Sequence, residues 1–315
     1  VIDRESRVII RHAPEPSSAP PPPEKLAELA ATEPPPPEGI GSADELYFTG
    51  LHLEQYRHAT RHPETYWREA LRRDPGDARC NLALGRLHLR RGEFAGAEKC
   101  LRAAIARQTF RNLNPADGEA LYQLGRVLRF LGREDEADTA FAKAAWNQAW
   151  IAPASLARAE LACSRLDWGA AWELLERALR LDADNLRVRA LRVVVLRKSG
   201  RMAEAAEELT AARALDPLDA WTRLLDGAEW VGDTQTRLDL AFDFERAGLL
   251  AEAVTLLDDA TPEPLSGTAP MVAYTRAWLL EKLGRRDEAR AARRIAISVC
   301  PDYCFPARLE EIMVL

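Results

Sequence analysis

Histidine, cysteine and carboxylate are the side chains that could do chemistry in this 315-residue chain, and each group runs into a problem of spacing. His58 and His62 stand at i,i+4, which on a helix sets two imidazoles beside a metal ion. The nearest third ligand, His52, lies six residues back and off that face, so the pair reads as solvated or interface histidines and not as a metal site. Cys80, Cys100, Cys163, Cys300 and Cys304 form no CxxC pair, are odd in number and mostly fall on apolar helical faces; they read as reduced structural thiols of a cytoplasmic protein. Glu134, Asp135 and Glu136 stand where a helix begins, where acids offset the helix dipole, and this explains them better than acid/base pairing does. There is no GxGxxG, phosphate loop, HExxH or GxSxG elbow, and the serines and histidines are not distributed as a triad. The chain is therefore read as non-catalytic, with no cofactor and no metal.

Composition narrows the remaining classes. A net charge of −6 with a pI near 5.6 argues against nucleic acid as a partner. No run of about 18 apolar residues exists to span a membrane. The chain opens on Val1, which implies an upstream portion.

The elements that position side chains are repeated helical hairpins. In Gly118–Ala145, Leu124, Gly125 and Leu128 form one stripe of a first helix, Gly132 ends it, and Ala137, Phe141 and Ala144 form the facing stripe of a second. Small residues let the helices approach, and the ring of Phe141 fills the gap left between them. The loop glycine recurs at Gly92, Gly132, Gly200, Gly248 and Gly284, with Leu166 standing in for one, at intervals of 40, 34, 34, 48 and 36. An alanine follows five residues later each time, at Ala97, Ala137, Ala171, Ala205, Ala253 and Ala289. A large apolar residue and a second alanine come next: Leu101 and Ala104, Phe141 and Ala144, Leu175 and Ala178, Leu209 and Ala212, Leu257 and Ala260. An earlier copy fits with one extra residue, using Gly50, Tyr66, Ala70 and Pro75.

This period of about 34 residues resembles the tetratricopeptide repeat family. Departures are Arg293 in place of the last large apolar residue, and Ala159, Val193, Ala241 and Ala277 in place of the first-helix glycine. The expected fold is all-α: a right-handed α-solenoid of about seven tetratricopeptide-like hairpins over residues 43–315. Asp302–Leu315 reads as a closing helix over the last hairpin, and a helix around Ala220–Trp230 reads as an insertion where the period stretches. Residues 1–42 form a separate region, with one candidate strand at Ser6–His12 and a proline-rich extended segment interrupted by a short candidate helix, Glu24–Ala31. That segment reads as a spacer, with docking to a proline-recognising domain as the alternative. The tryptophan pairs Trp146/Trp150 and Trp168/Trp172 read as fillers between helices before sugar-stacking platforms.

The resemblance also implies a site. In tetratricopeptide arrays the second, fifth, ninth and twelfth or thirteenth positions of each first helix line a concave groove. Here they are Arg79, Leu82, Arg86, Leu89 and Arg90, then Glu119, Tyr122, Arg126, Arg129 and Phe130, then Arg187, Ala190, Val194, Arg197 and Lys198. The expected groove is basic and holds an acidic protein or peptide through Arg86, Arg90, Arg126, Arg129 and Arg197, with Tyr122 and Phe130 giving apolar contact. Arginine at 86 and 126 sets this groove apart from the chaperone-tail clamp of some family members, which uses asparagine there. A wider resemblance, carried by YFTGLHLEQYRHATRHPETYWREALRRDPGDARCNLALG, is to the repeat half of bacterial proteins in which a galactose-mutarotase-like β-sandwich precedes the repeats. It implies a second function: the accessory region of a carbohydrate-active protein, packed on an upstream β-sandwich domain. The first reading is a protein-interaction scaffold.

Overall fold

A computed structural model describes residues 7, 8, 11, 33–230, 232–263 and 266–315. The described residues form helical hairpins and no strand, and the seven hairpins match the expected all-α solenoid. They comprise α1 (Ala43–Tyr56) and α2 (Pro63–Arg73), α3 (Ala78–Arg90) and α4 (Phe94–Gln108), α5 (Glu119–Phe130) and α6 (Glu134–Ala144), and α7 (Ile151–Ser164) and α8 (Trp168–Leu179). After these come α9 (Leu186–Lys198) and α10 (Met202–Leu215), the short α11 (Ala220–Leu225), α12 (Thr234–Arg246) and α13 (Leu250–Asp258), α14 (Ala269–Lys282) and α15 (Arg286–Ser298), and the terminal turn α16 (Glu311–Val314). The strand expected at 6–12 falls, apart from Arg7, Val8 and Arg11, outside the described residues, as does the short helix expected at 24–31.

Each hairpin is built as the small-to-large pattern dictates. A Cβ added to Gly125 would stand 2.6 Å from the Phe141 ring, and one added to Gly85 would stand 2.7 Å from Leu101. The first hairpin uses the same device in a different register from that expected: Gly50 faces the indole of Trp67, which is fully buried, and not Tyr66. Tyr66 instead donates its hydroxyl to the Pro35 carbonyl at 3.0 Å. Together with Arg73, which donates to the Ile40 carbonyl at 2.6 Å, it seats the end of the proline-rich segment on α2. The turns hold φ near +72° at Gly92 and +76° at Gly200, and Leu166 adopts the same left-handed conformation at φ 61°.

The later hairpins depart from simple stacking. Helix α11 ends at Leu225, short of the expected Trp230, and Trp221 meets the ring of Phe244 edge-on at 5.4 Å. The sixth hairpin thereby comes against α7 and α9: Leu240, Phe244 and Ala247 share one core cluster with Ala159, Leu191 and Val194. The backbone of Gly248 closes on Ser164 at the end of α7. Consecutive burial of Leu240, Ala241, Phe242, Asp243 and Phe244 means that α12 is enclosed on nearly every side, unlike a helix that buries one stripe.

The expected closing helix over Asp302–Leu315 is reduced to α16, and the tail does not cover α15, whose Ile295 and Ile297 remain exposed. With Arg293 in the large apolar position, α15 buries only its alanine row, Ala289, Ala292 and Ala296. The tail returns instead to the earlier hairpins. Leu309 packs on the cluster of Leu89, Val127 and Leu161, and Ile312 lies against Gly92.

Candidate functional site: the face of the first helices

Most arginines of the stripe expected from sequence are paired with acids of other first helices. Arg79 bonds Asp44, Arg90 bonds Glu54, Arg86 approaches Glu119 at 3.4 Å, Arg129 meets Glu160 at 2.5 Å and Arg187 meets Asp243 at 2.5 Å. Every one of these acids belongs to a neighbouring or facing first helix. The face is therefore a ladder of compensated charges and not a uniformly basic groove. Two arginines stand apart. Arg126 donates to the Gln123 side-chain oxygen at 3.1 Å and has no carboxylate partner among the described residues. Arg197 donates to the Leu225 carbonyl at 2.8 Å.

Burial divides the face in two. Around α9, Ala190 and Val194 are buried against the sixth hairpin, so that part of the expected groove is filled. From α1 to α5, Tyr47, Leu82, Arg86, Tyr122 and Arg126 remain partly accessible. Tyr122 leans on Phe141 and Trp150 at 5.5 and 4.9 Å, and burial raises the pKa of its hydroxyl. Phe130 stacks parallel on Phe94 at 4.9 Å. Both aromatics thus help hold the hairpins together while keeping an accessible edge.

At the junction of the two parts lies a nearly buried charge cluster. Glu160 and Asp243 are 6% and 8% exposed, and Arg246 lies between them and Glu310 of the tail. Burial pushes the Asp243 carboxyl above the ordinary aspartate range despite Arg246 and Arg187 beside it. Burial opposes the charge on Arg246, yet the surrounding carboxylates hold its pKa above the ordinary arginine value. Charges so poorly hydrated are stable only as a fully paired set.

The histidine pair is not on one helix. Helix α1 ends at Tyr56, and the ring nitrogen Nδ1 of His58 accepts the backbone N–H groups of Thr60 and Arg61 at 3.3 and 3.2 Å, closing the turn into α2. All five cysteines are free; burial pushes the Cys163 thiol up to about 12, which keeps it protonated and unreactive. The tryptophans split: Trp67 and Trp221 are buried, whereas Trp146 is exposed and Trp172 lies between the guanidinium groups of Arg192 and Arg201.

Glu54 and Glu160 lie outside the three stretches in which the stripe is drawn above. Continuing the stripe rule into the first and fourth hairpins finds them, since they occupy the same positions as Arg129 and Arg126. A second concavity, of about 470 Å³, lies between α4 and α6 with Leu121, Leu124 and Leu128 as its floor.

A family model described as tetratricopeptide repeat matches residues 64–107 and 82–150. Among solved structures, the chain is similar to a tetratricopeptide repeat protein from Parabacteroides merdae ATCC 43184, at 14% identity and TM-score 0.52 over 81% of this chain and 92% of that one. It is also similar to YrrB, described as a TPR protein with an unusual peptide-binding site, at 15% identity and TM-score 0.50 over 60% of this chain and 94% of that one. At these identities the likeness is one of fold.

Proposed function

We propose that this chain, in which residues 64–107 and 82–150 match the tetratricopeptide repeat family, acts as a non-catalytic protein-interaction scaffold whose first-helix face, from α1 to α5, receives a segment of a partner protein. The observation that carries this reading is the mixed character of that face. Tyr47, Leu82 and Tyr122 offer partly accessible apolar surface beside Arg126, which has no carboxylate partner among the described residues. Apolar anchors beside a few placed charges suit a peptide better than a small polar metabolite. Partner segments that combine acidic and apolar residues fit best, with Arg126 and Arg86 meeting the acids and Tyr122 the apolar side chains. The peptide-binding site ascribed to YrrB, on a similar fold, is consistent with such a role.

An array of random peptides probed with the full chain tests the proposal. Acidic–apolar sequences should be enriched, their binding should weaken as salt rises, and Arg126→Glu should weaken it far more than Lys99→Glu on the exposed side of α4. Equal effects of the two substitutions, or enrichment of basic peptides, would overturn it.

A further inference from the structure

The C-terminal segment carries information that the repeat pattern does not. Ala307–Val314 packs its terminal turn against α14 of the last hairpin and also reaches along α12 to the second and third hairpins, held there by several different chemistries. Arg308 bonds Asp239 at 2.5 Å and donates to the Gln235 carbonyl at 2.9 Å. Leu309 enters the apolar cluster of the second and third hairpins, Glu310 pairs with Arg246, and Ile312 rests on Gly92. Glu311 folds the segment into a turn by accepting the N–H groups of Ala307 and Arg308 at 2.6 and 2.8 Å. This is the manner in which a peptide ligand is held: an apolar anchor, an acid on an arginine and a small preorganised turn.

We propose that Ala307–Val314 is an internal ligand of the scaffold, and that the seat it occupies, between Gly92, the Leu89–Val127 cluster and Arg246, accepts from a partner protein a segment of the same order: leucine, two acids, then an aliphatic residue. The inference rests on the scaffold reading above and names the partner's chemistry at the edge of that face. Two features make the segment displaceable. Ile312 and Met313 remain 45% and 43% exposed, and the segment has one short helical turn of its own, with only Glu311 buried within it. Leu309 and Val314 pack on the core clusters only as partly buried side chains, and an element so partly exposed opens at lower free energy than the core. A tethered segment competes at an effective concentration of about a millimolar, so a free peptide that binds the empty seat at ~10 μM binds the intact chain roughly 100-fold more weakly. The intact chain is therefore selective: only a partner whose fit exceeds that of the internal segment gains the seat.

The test uses a fluorescent peptide of sequence ARLEEIMVL, residues 307–315, and the full chain. In fluorescence anisotropy, the full-length double variant Leu309→Asp/Ile312→Asp, which ejects its own segment, should bind the peptide at least about tenfold more tightly than the unaltered chain. A peptide with lysine in place of its first acid, ARLKEIMVL, which loses the pairing that Glu310 makes with Arg246, should not show that gain. Equal binding by the two forms, or no binding by either, overturns the proposal. Hydrogen exchange on the unaltered chain covers the case in which the variant fails to fold: amides of 309–314 should exchange by local opening, faster than those of α5 and α12. Exchange only through global unfolding would make the segment a core element and sink the idea. If the tail peptide fails while array peptides still bind through Arg126, the internal-ligand proposal falls and the scaffold reading stands.

Discussion

Arg129 donates a hydrogen bond of 2.7 Å to the carbonyl oxygen of Arg246, 117 positions further along the chain. Another of its nitrogens meets Glu160 at 2.5 Å, so one guanidinium joins the third, fourth and sixth hairpins. Removing it leaves a nearly buried carboxylate short of its main partner, although Arg246 and Arg187 remain 3.9 and 4.0 Å away. Arg129→Ala should therefore lower the unfolding free energy by about 3 kcal/mol, at the low end for a broken buried pair. Arg290→Ala, on an exposed pair with Asp287, should cost under about 1 kcal/mol. Urea unfolding of both variants checks this, and similar costs would mean that the cluster is solvated.

The contact of Gly125 with Phe141 sets the spacing of the third hairpin. Gly125→Val should overpack it by about 1–3 kcal/mol, and so should Ala137→Trp on the facing helix. Phe141→Leu placed with Gly125→Val should recover part of the loss. Glu134→Ala, at the start of α6, should cost under about 1 kcal/mol by the dipole effect. Thermal unfolding that failed to separate Ala137→Trp from Glu134→Ala would refute the stripe assignment.

Leu166 holds φ 61° with its side chain exposed, where five other hairpins use glycine. A left-handed conformation costs a side-chain-bearing residue about 1–2 kcal/mol, and little apolar burial offsets it here. Leu166→Gly should raise the unfolding free energy by about 1 kcal/mol, with part of the strain relief offset by the entropy of glycine in the unfolded chain. A fall in Tm would show that the turn gains more from the leucine than its exposure suggests.

Glu69 accepts hydrogen bonds from Arg72 and Arg73, and these hold its carboxyl down from 4.5 to about 2. A carboxyl depressed by folding contributes stability that is fully present above its unfolded pKa and is lost as pH falls through the folded one. The Tm of the unaltered chain should therefore drop between about pH 4.5 and 2, and Glu69→Gln should flatten that part of the profile. An unchanged profile would assign the acid limb to other carboxylates.

The repeat itself was legible because everything that specifies a hairpin lies within about 34 residues. Glycine–ring contacts such as Gly125–Phe141, the alanine rows and the turn glycines are local steric conditions, and local conditions are written as spacing. Even there a register could slip: Tyr66 and Trp67 are adjacent aromatics, and only the packed helices decide which meets Gly50. The spacing that sets these arginines on one side of the first helices is equally local, but their pairing is not, because a side chain's charge partner on a neighbouring helix depends on how the hairpins meet. The tertiary structure alone decided that the sixth hairpin covers α7 and α9 and that the tail returns to Gly92. Those choices rest on pairs such as Arg129 with Arg246 and Ile312 with Gly92. They join residues far apart in sequence and leave no period behind, since a chain returning on its own first helices follows the shape those helices have already made.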